Sequence, residues 1–106
     1  MPGRMLMRRA LADHTAQLPL IPMQDNRPSP MGTTTHDAIL AGIDLGILGC
    51  VRQIASETRQ TLNSSECTIF TTGGDATFFL SNLPELTPAP SLLTLRGIAT
   101  SAPAKR

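Results

Sequence analysis

In 67-CTIFTTGGDATFFLSNL-83 a run of β-branched and aromatic residues ends on Gly73–Gly74, and Asp75 opens a second apolar run. This order predicts a short strand, a tight turn and a short helix with Asp75 at its N-cap. Ile69 falls on one face of the strand and Phe70 on the other, the pattern of a strand covered on both sides by helices. A lone strand cannot satisfy its own backbone donors and acceptors, so a sheet is implied. No second strand of the same kind is visible; the one candidate neighbour is 92-LLTLRGI-98. The two glycines match neither Gly-x-x-x-x-Gly-Lys-Ser nor Gly-x-Gly-x-x-Gly, so they do not form a phosphate-wrapping loop of those kinds.

Upstream lies the strongest periodic signal. In 38-AILAGIDLGILGCVRQIASETRQTL-62 apolar residues recur at Ile39, Ile43, Ile47, Val51 and Ile54, the spacing of one helix face. Leu40, Leu45 and Leu48 widen the stripe, so the first half reads as buried, whereas Arg52, Gln53, Glu57, Arg59 and Gln60 form a polar face in the second. Thr34-x-x-Asp37 predicts the start, with a capping hydroxyl and an acid in the first turn. Gly42, Gly46 and Gly49 each cost about 1 kcal/mol against Ala in a helix interior. Gly42 and Gly46 share a face, and a close backbone approach is the natural reason. A subunit interface and packing within one chain explain it equally well.

Arg4 to Leu18 reads as a short amphipathic helix with Leu6, Met7, Ala10, Leu11 and Ala16 on its apolar side, ended by Pro19 and Pro22. The segment 19-PLIPMQDNRPSPMG-32 is a connector. Pro84, Pro88 and Pro90 interrupt the chain again, 91-SLLTLRGIAT-100 is an apolar element of open type, and 101–106 is expected to fray.

The bulk numbers narrow the classes. At 106 residues there is room for one small domain, and a net charge of +1 excludes a strongly basic nucleic-acid binder. With no Trp or Tyr and only three Phe, base stacking has little to work with and the core must be aliphatic. Cys50 and Cys67 read as reduced thiols of a cytosolic protein. His14 and His36 lie far apart without a ligand pattern, so no metal site is expected. The early Met and Leu are broken by Arg8 and Arg9, so no signal peptide develops, and no stretch reaches about 18 uncharged apolar residues. Neither a nucleic acid nor a membrane is expected as a partner.

The segments 32-GTTTHDAILAGIDLGILG-49, 68-TIFTTGGDA-76 and 92-LLTLRGIA-99, together with 2-PGRMLMRRALADHTAQLP-19, resemble the C-terminal part of type III pantothenate kinases. These belong to the superfamily of acetate and sugar kinases, Hsp70 chaperones and actin. The resemblance implies an α/β fold, a partial actin-like (ribonuclease H-like) C-terminal lobe that is mostly helical with one or two strands, over residues 1–100. It implies phosphorylation of pantothenate by ATP, the first step of coenzyme A synthesis, in a cytoplasmic homodimer using Mg²⁺ and a monovalent cation (K⁺ or NH₄⁺).

Residue by residue, the family's substrate-contacting threonine falls on Thr35 after Gly32, where a plain N-cap is the alternative. The Gly-Gly-Asp turn falls on Gly73, Gly74 and Asp75, on the nucleotide side. Gly42 and Gly46 fall on the dimer helix. The family's Asp-x-Gly-Asn-Thr-like phosphate loop, its Gly-Ala-Asp-Arg motif with the general base, and the Asp that holds the monovalent cation have no counterpart in these 106 residues. No catalytic residue and no cation ligand are therefore assigned here, and the chain alone is expected to be inactive. The other class in view is a non-enzymatic interaction protein, like those relatives of the family described as accessory factors for transcription. A third reading, an independent small α/β domain, requires a hidden second strand, with 92–98 beside 67–72 as the candidate.

Overall fold

The structure is a computed structural model that describes residues 1–103. Its elements are α1 (Arg4–His14), α2 (Thr35–Leu40), a π-helical turn (Ala41–Leu45), α3 (Gly46–Thr61), β1 (Ile69–Thr71), α4 (Ala76–Asn82), β2 (Leu86–Pro88) and α5 (Leu93–Ser101). The α/β class holds, mostly helical with two strands.

The central helix forms where its apolar period predicts. It runs continuously from Thr35 to Thr61 through the π-turn, a 27-residue rod. Thr34 is the N-cap, its hydroxyl accepting from the Asp37 amide at 3.0 Å. By length and hydropathy alone the rod could cross a membrane, more nearly than its sequence suggested. Asp44, buried in the middle of it against two guanidinium groups, instead marks a protein interior.

β1 and β2 pair in parallel, with Ile69 opposite Leu86 and Thr71 opposite Pro88. α4 is the crossover between them, a small β–α–β unit. The second strand is therefore Leu86–Pro88, and 92–98 forms the N-cap and first turns of helix α5, so the candidate pairing of 92–98 with 67–72 does not form. Three prolines had marked 84–90 as a break. Pro88 is tolerated because it closes a strand in a two-stranded sheet, where a missing N–H costs no ladder bond.

The core gathers where rod, sheet and α4 meet: Ile47, Leu48, Phe78, Leu83 and Leu86, with Met7, Leu45, Val51 and Ile69 packed on it. Ile69 faces this core, but Phe70 stays 56% exposed, so β1 is covered on one face only. The rod's first half buries Leu40, Ile43, Ile47 and Leu48, yet Gly42, Gly46 and Gly49 are exposed. A Cβ added at any of these three would meet nothing within 4 Å.

α1 departs from its expected amphipathicity: Met7 and Leu11 do face inward, but Ala10 is exposed. Leu6 is 60% exposed, whereas Arg4 and Arg8 are its buried residues. The helix also stops at His14, four residues early. α5 buries none of its residues and exposes Leu95 and Ile98. It reaches Ser101, the first residue of the expected tail; residues 104–106 lie outside the described residues. The described chain measures 59 × 36 × 21 Å, with a radius of gyration of 17.4 Å against about 13 Å for a compact chain of this length.

Candidate functional site

Arg4 and Arg8 stand one turn apart on α1 and point into the rod. Asp44, in the π-turn, is fully buried and receives both Arg8 terminal nitrogens, Nη1 at 2.9 Å and Nη2 at 3.0 Å. This is a bidentate, charge-assisted pair, the strong form of the interaction. Arg4 completes the other side of Asp44, with Nη1 at 3.3 Å from Oδ2.

Arg4 is the hub. Its Nε and Nη2 donate to the two carboxylate oxygens of Asp75 at 2.8 and 2.6 Å, and its Nη1 donates to the Gln24 carbonyl at 2.7 Å. Asp25 stands at the solvent rim, 3.5 Å from Nη2. The Arg4 Cζ sits 3.5 Å from the centre of the Phe78 ring, stacked as a cation on an aromatic face. One side chain thus ties together α1, the connector, the rod, the Gly-Gly-Asp turn and α4. Burial lowers the Arg4 pKa, but the hydrogen bonds and charges of Asp75 and Asp44 outweigh it and raise it above the ordinary guanidinium value. Two cations against the two carboxylates of Asp44 and Asp75 leave the interior of the cluster near neutral. Within this cluster, among the described residues, the Arg8 Nε–H is the buried side-chain donor that lacks a partner.

The Gly73–Gly74–Asp75 turn is built by this cluster. Asp75 occupies the N-cap position of α4, but its side chain caps nothing; the carboxylate is spent on Arg4. Gly73 has φ +110°, which a residue with a side chain rarely adopts, and its carbonyl accepts from the Ala76 amide at 3.2 Å. Both glycines are exposed.

Thr35 is exposed at the other end of the rod, about 14 Å along the axis from Asp44 at 1.5 Å per residue. Because Thr34 makes the cap, the Thr35 hydroxyl is left out of it. Thr35 lines an apolar cleft of about 420 Å³ between the end of α1 and the rod, with Leu11, Leu18, Ala38, Ile39 and Gly42. Gly32 lies against the backbone below: a Cβ there would stand 2.5 Å from the Ala38 Cα. Thr35 and the Gly-Gly-Asp turn are thus on separate elements, joined through Asp44 and Arg4. Sequence reasoning missed Arg4, Arg8 and Asp44. The one available signal was Asp44 itself, an acid inside an apolar helix half, which requires a buried cation.

The sequence model of the family described as type III pantothenate kinase matches residues 1–57. The chain belongs to the type III pantothenate kinase family. A type III pantothenate kinase of Thermosynechococcus vestitus is 38% identical over 78 residues, 74% of this chain and 30% of that protein. One from Chlorobaculum parvum is 32% identical over 102 residues, covering 92% and 38%. A third, from a Synechococcus strain, is 36% identical over 105 residues, covering 93% and 40%. The chain spans less than half the length of these pantothenate kinases. No solved structure shows a significant match. Among the described residues no group of three His, Cys, Asp or Glu could hold a metal ion. The carboxylates of Asp44 and Asp75 are engaged by guanidinium groups, so this donor set does not fit Mg²⁺ or a monovalent cation.

Proposed function

We propose that the chain is the C-terminal portion of a type III pantothenate kinase, in the actin-like lobe, and supplies one wall of a site for pantothenate and ATP. The observation that carries this is the family match over residues 1–57, joined to relatives that cover up to 93% of the chain but at most 40% of their own length. In this reading Thr35 donates its hydroxyl to pantothenate at the mouth of its cleft, and Gly73–Gly74 gives the nucleotide a backbone surface free of side chains. Arg4 fixes the turn at a set distance from the rod. Phosphoryl transfer depends on positioning and on charge that stabilises the phosphate. With no phosphate loop, base or cation ligand among the 106 residues, the chain alone does not turn over. Mg²⁺ and the monovalent cation would be held elsewhere in the assembled kinase.

We infer a cytoplasmic setting and pairing with a second copy through the exposed Gly42–Gly46 face. The exposed glycine face and the uncovered α5 also suit the alternative, a non-enzymatic interaction protein.

The test is reconstitution. The chain is mixed with a separately prepared N-terminal piece of the Thermosynechococcus vestitus enzyme, and ATP-dependent phosphorylation of pantothenate is measured. Activity that needs both pieces, and falls about tenfold or more with Thr35→Ala at unchanged folding, supports the proposal. A folded pair that binds neither substrate supports the interaction protein.

A further inference from the structure

A second site lies at the far end of the sheet. Because β1 and β2 are parallel, the segments that enter them share one end, and the Gly73–Gly74 turn occupies the other. At the entry end a cleft of about 550 Å³, lined by charged and polar residues, opens beside the last turn of α3. Its cations are Arg52 and Arg59, and its one carboxylate is Glu85.

Glu85 does not neutralise it. The Arg52 Nε stands 3.5 Å from the Glu85 carboxylate, a long contact on an exposed side chain. Arg59 has no hydrogen-bonded or ionic side-chain partner among the described residues, and its buried Nε–H lacks an acceptor. A guanidinium without a carboxylate partner, lining the cleft beside a second cation, favours an anionic acceptor that arrives from outside.

Hydroxyl donors ring the same space: Ser56, Ser64 and Ser65. The Ser64 oxygen accepts from the Glu66 amide, which leaves its proton to donate into the cleft. A helix C-terminus ordinarily repels anions. Here the carbonyls of Thr58, Arg59 and Gln60 already accept from the amides of Leu62, Ser64 and Asn63, which weakens that repulsion.

We propose that this cleft binds a phosphoryl oxyanion, held by Arg59 and Arg52 with serine hydroxyls completing its shell. It stands apart from the Gly73–Gly74–Asp75 end and does not depend on the kinase reading.

The experiment titrates the ¹⁵N-labelled full chain with inorganic phosphate at constant ionic strength set by chloride. A second titration uses methyl phosphate. Saturable shifts of the Asn63, Ser64 and Ser65 amides and of the Arg59 Nε–H are expected. Arg59→Gln weakens binding about tenfold or more, and Glu85→Gln tightens it several-fold by removing the competing carboxylate. Methyl phosphate binding as tightly as phosphate identifies an esterified ligand, and exclusion of the ester identifies free phosphate. Shifts that do not saturate, or that chloride alone reproduces, overturn the proposal. So does unchanged affinity in Glu85→Gln, which keeps the test valid if Arg59→Gln fails to fold.

Discussion

Asp44→Asn should strongly destabilise this chain. The carboxylate is fully buried and faces two guanidinium groups, Arg8 at 2.9 and 3.0 Å and Arg4 at 3.3 Å. Removing one partner of a buried ion pair strands the other and costs about 3–5 kcal/mol. Arg4 keeps Asp75, so the stranded charge is chiefly Arg8. A domain of this size has about 5–15 kcal/mol in all, so roughly a fifth of its margin is lost at the least and all of it at the most. The pair, however, is not expected to contribute much net stability. The double variant Arg8→Met/Asp44→Leu replaces it with apolar side chains and should recover most of the loss, as buried pairs replaced by well-packed apolar groups do. The assay is urea unfolding followed by far-ultraviolet circular dichroism, since the chain has no Trp or Tyr for fluorescence. A coupling of at least about 2 kcal/mol between positions 8 and 44 is predicted. Additive single and double variants would refute the reasoning, since they would show that the two side chains do not meet.

Arg4→Lys should cost about 2–3 kcal/mol, because an ammonium cannot make the bidentate bond to Asp75 while stacking on Phe78; unfolding midpoints decide it. The Arg4 pKa is raised, so its stabilisation is present below the ordinary guanidinium value and is lost only as pH rises through the still higher folded value. From about pH 6 to about pH 10 its contribution, measured as the difference between wild type and Arg4→Met, should stay constant. Gly42→Ala/Gly46→Ala should stabilise the isolated chain by about 1–2 kcal/mol, since neither Cβ meets anything within 4 Å. If the glycine face seats a second copy, the same variant loses the dimer in sedimentation; an unchanged dimer excludes that face. Gly32→Ala drives a Cβ into the Ala38 backbone and should cost about 1–3 kcal/mol, read as a lower thermal midpoint.

The rod, β1, the glycine turn and α4 were legible because each is local: an apolar period, a β-branched run and φ-specific residues announce themselves within a few positions. What was not legible was pairing at a distance. Arg4 and Asp75 are separated by 71 positions and Arg8 and Asp44 by 36, and no spacing rule links such residues. The same gap hid the inner face of α1, where Arg4 and Arg8 lie buried and Leu6 is exposed. Asp75 was located correctly and given the wrong task, because a cap is the local use of an acid at a helix start and Arg4 is a distant competitor for it. Leu86–Pro88 was hidden by Pro88 and its neighbouring prolines, and 91–100, an element of open type in the sequence, forms helix α5 instead of the candidate partner strand. At the candidate site, Thr35 and Gly73–Gly74 came from family resemblance, whereas the salt-bridged hub between them came only from the fold.

The most direct measurement is transfer of labelled γ-phosphate from ATP to pantothenate by the purified 106-residue chain, with Mg²⁺ and K⁺ present. One wall of a site, without a phosphate loop or a base, predicts no product above the uncatalysed background. Steady turnover by the chain alone, abolished by Thr35→Ala or by Arg4→Met in folded protein, would contradict the account.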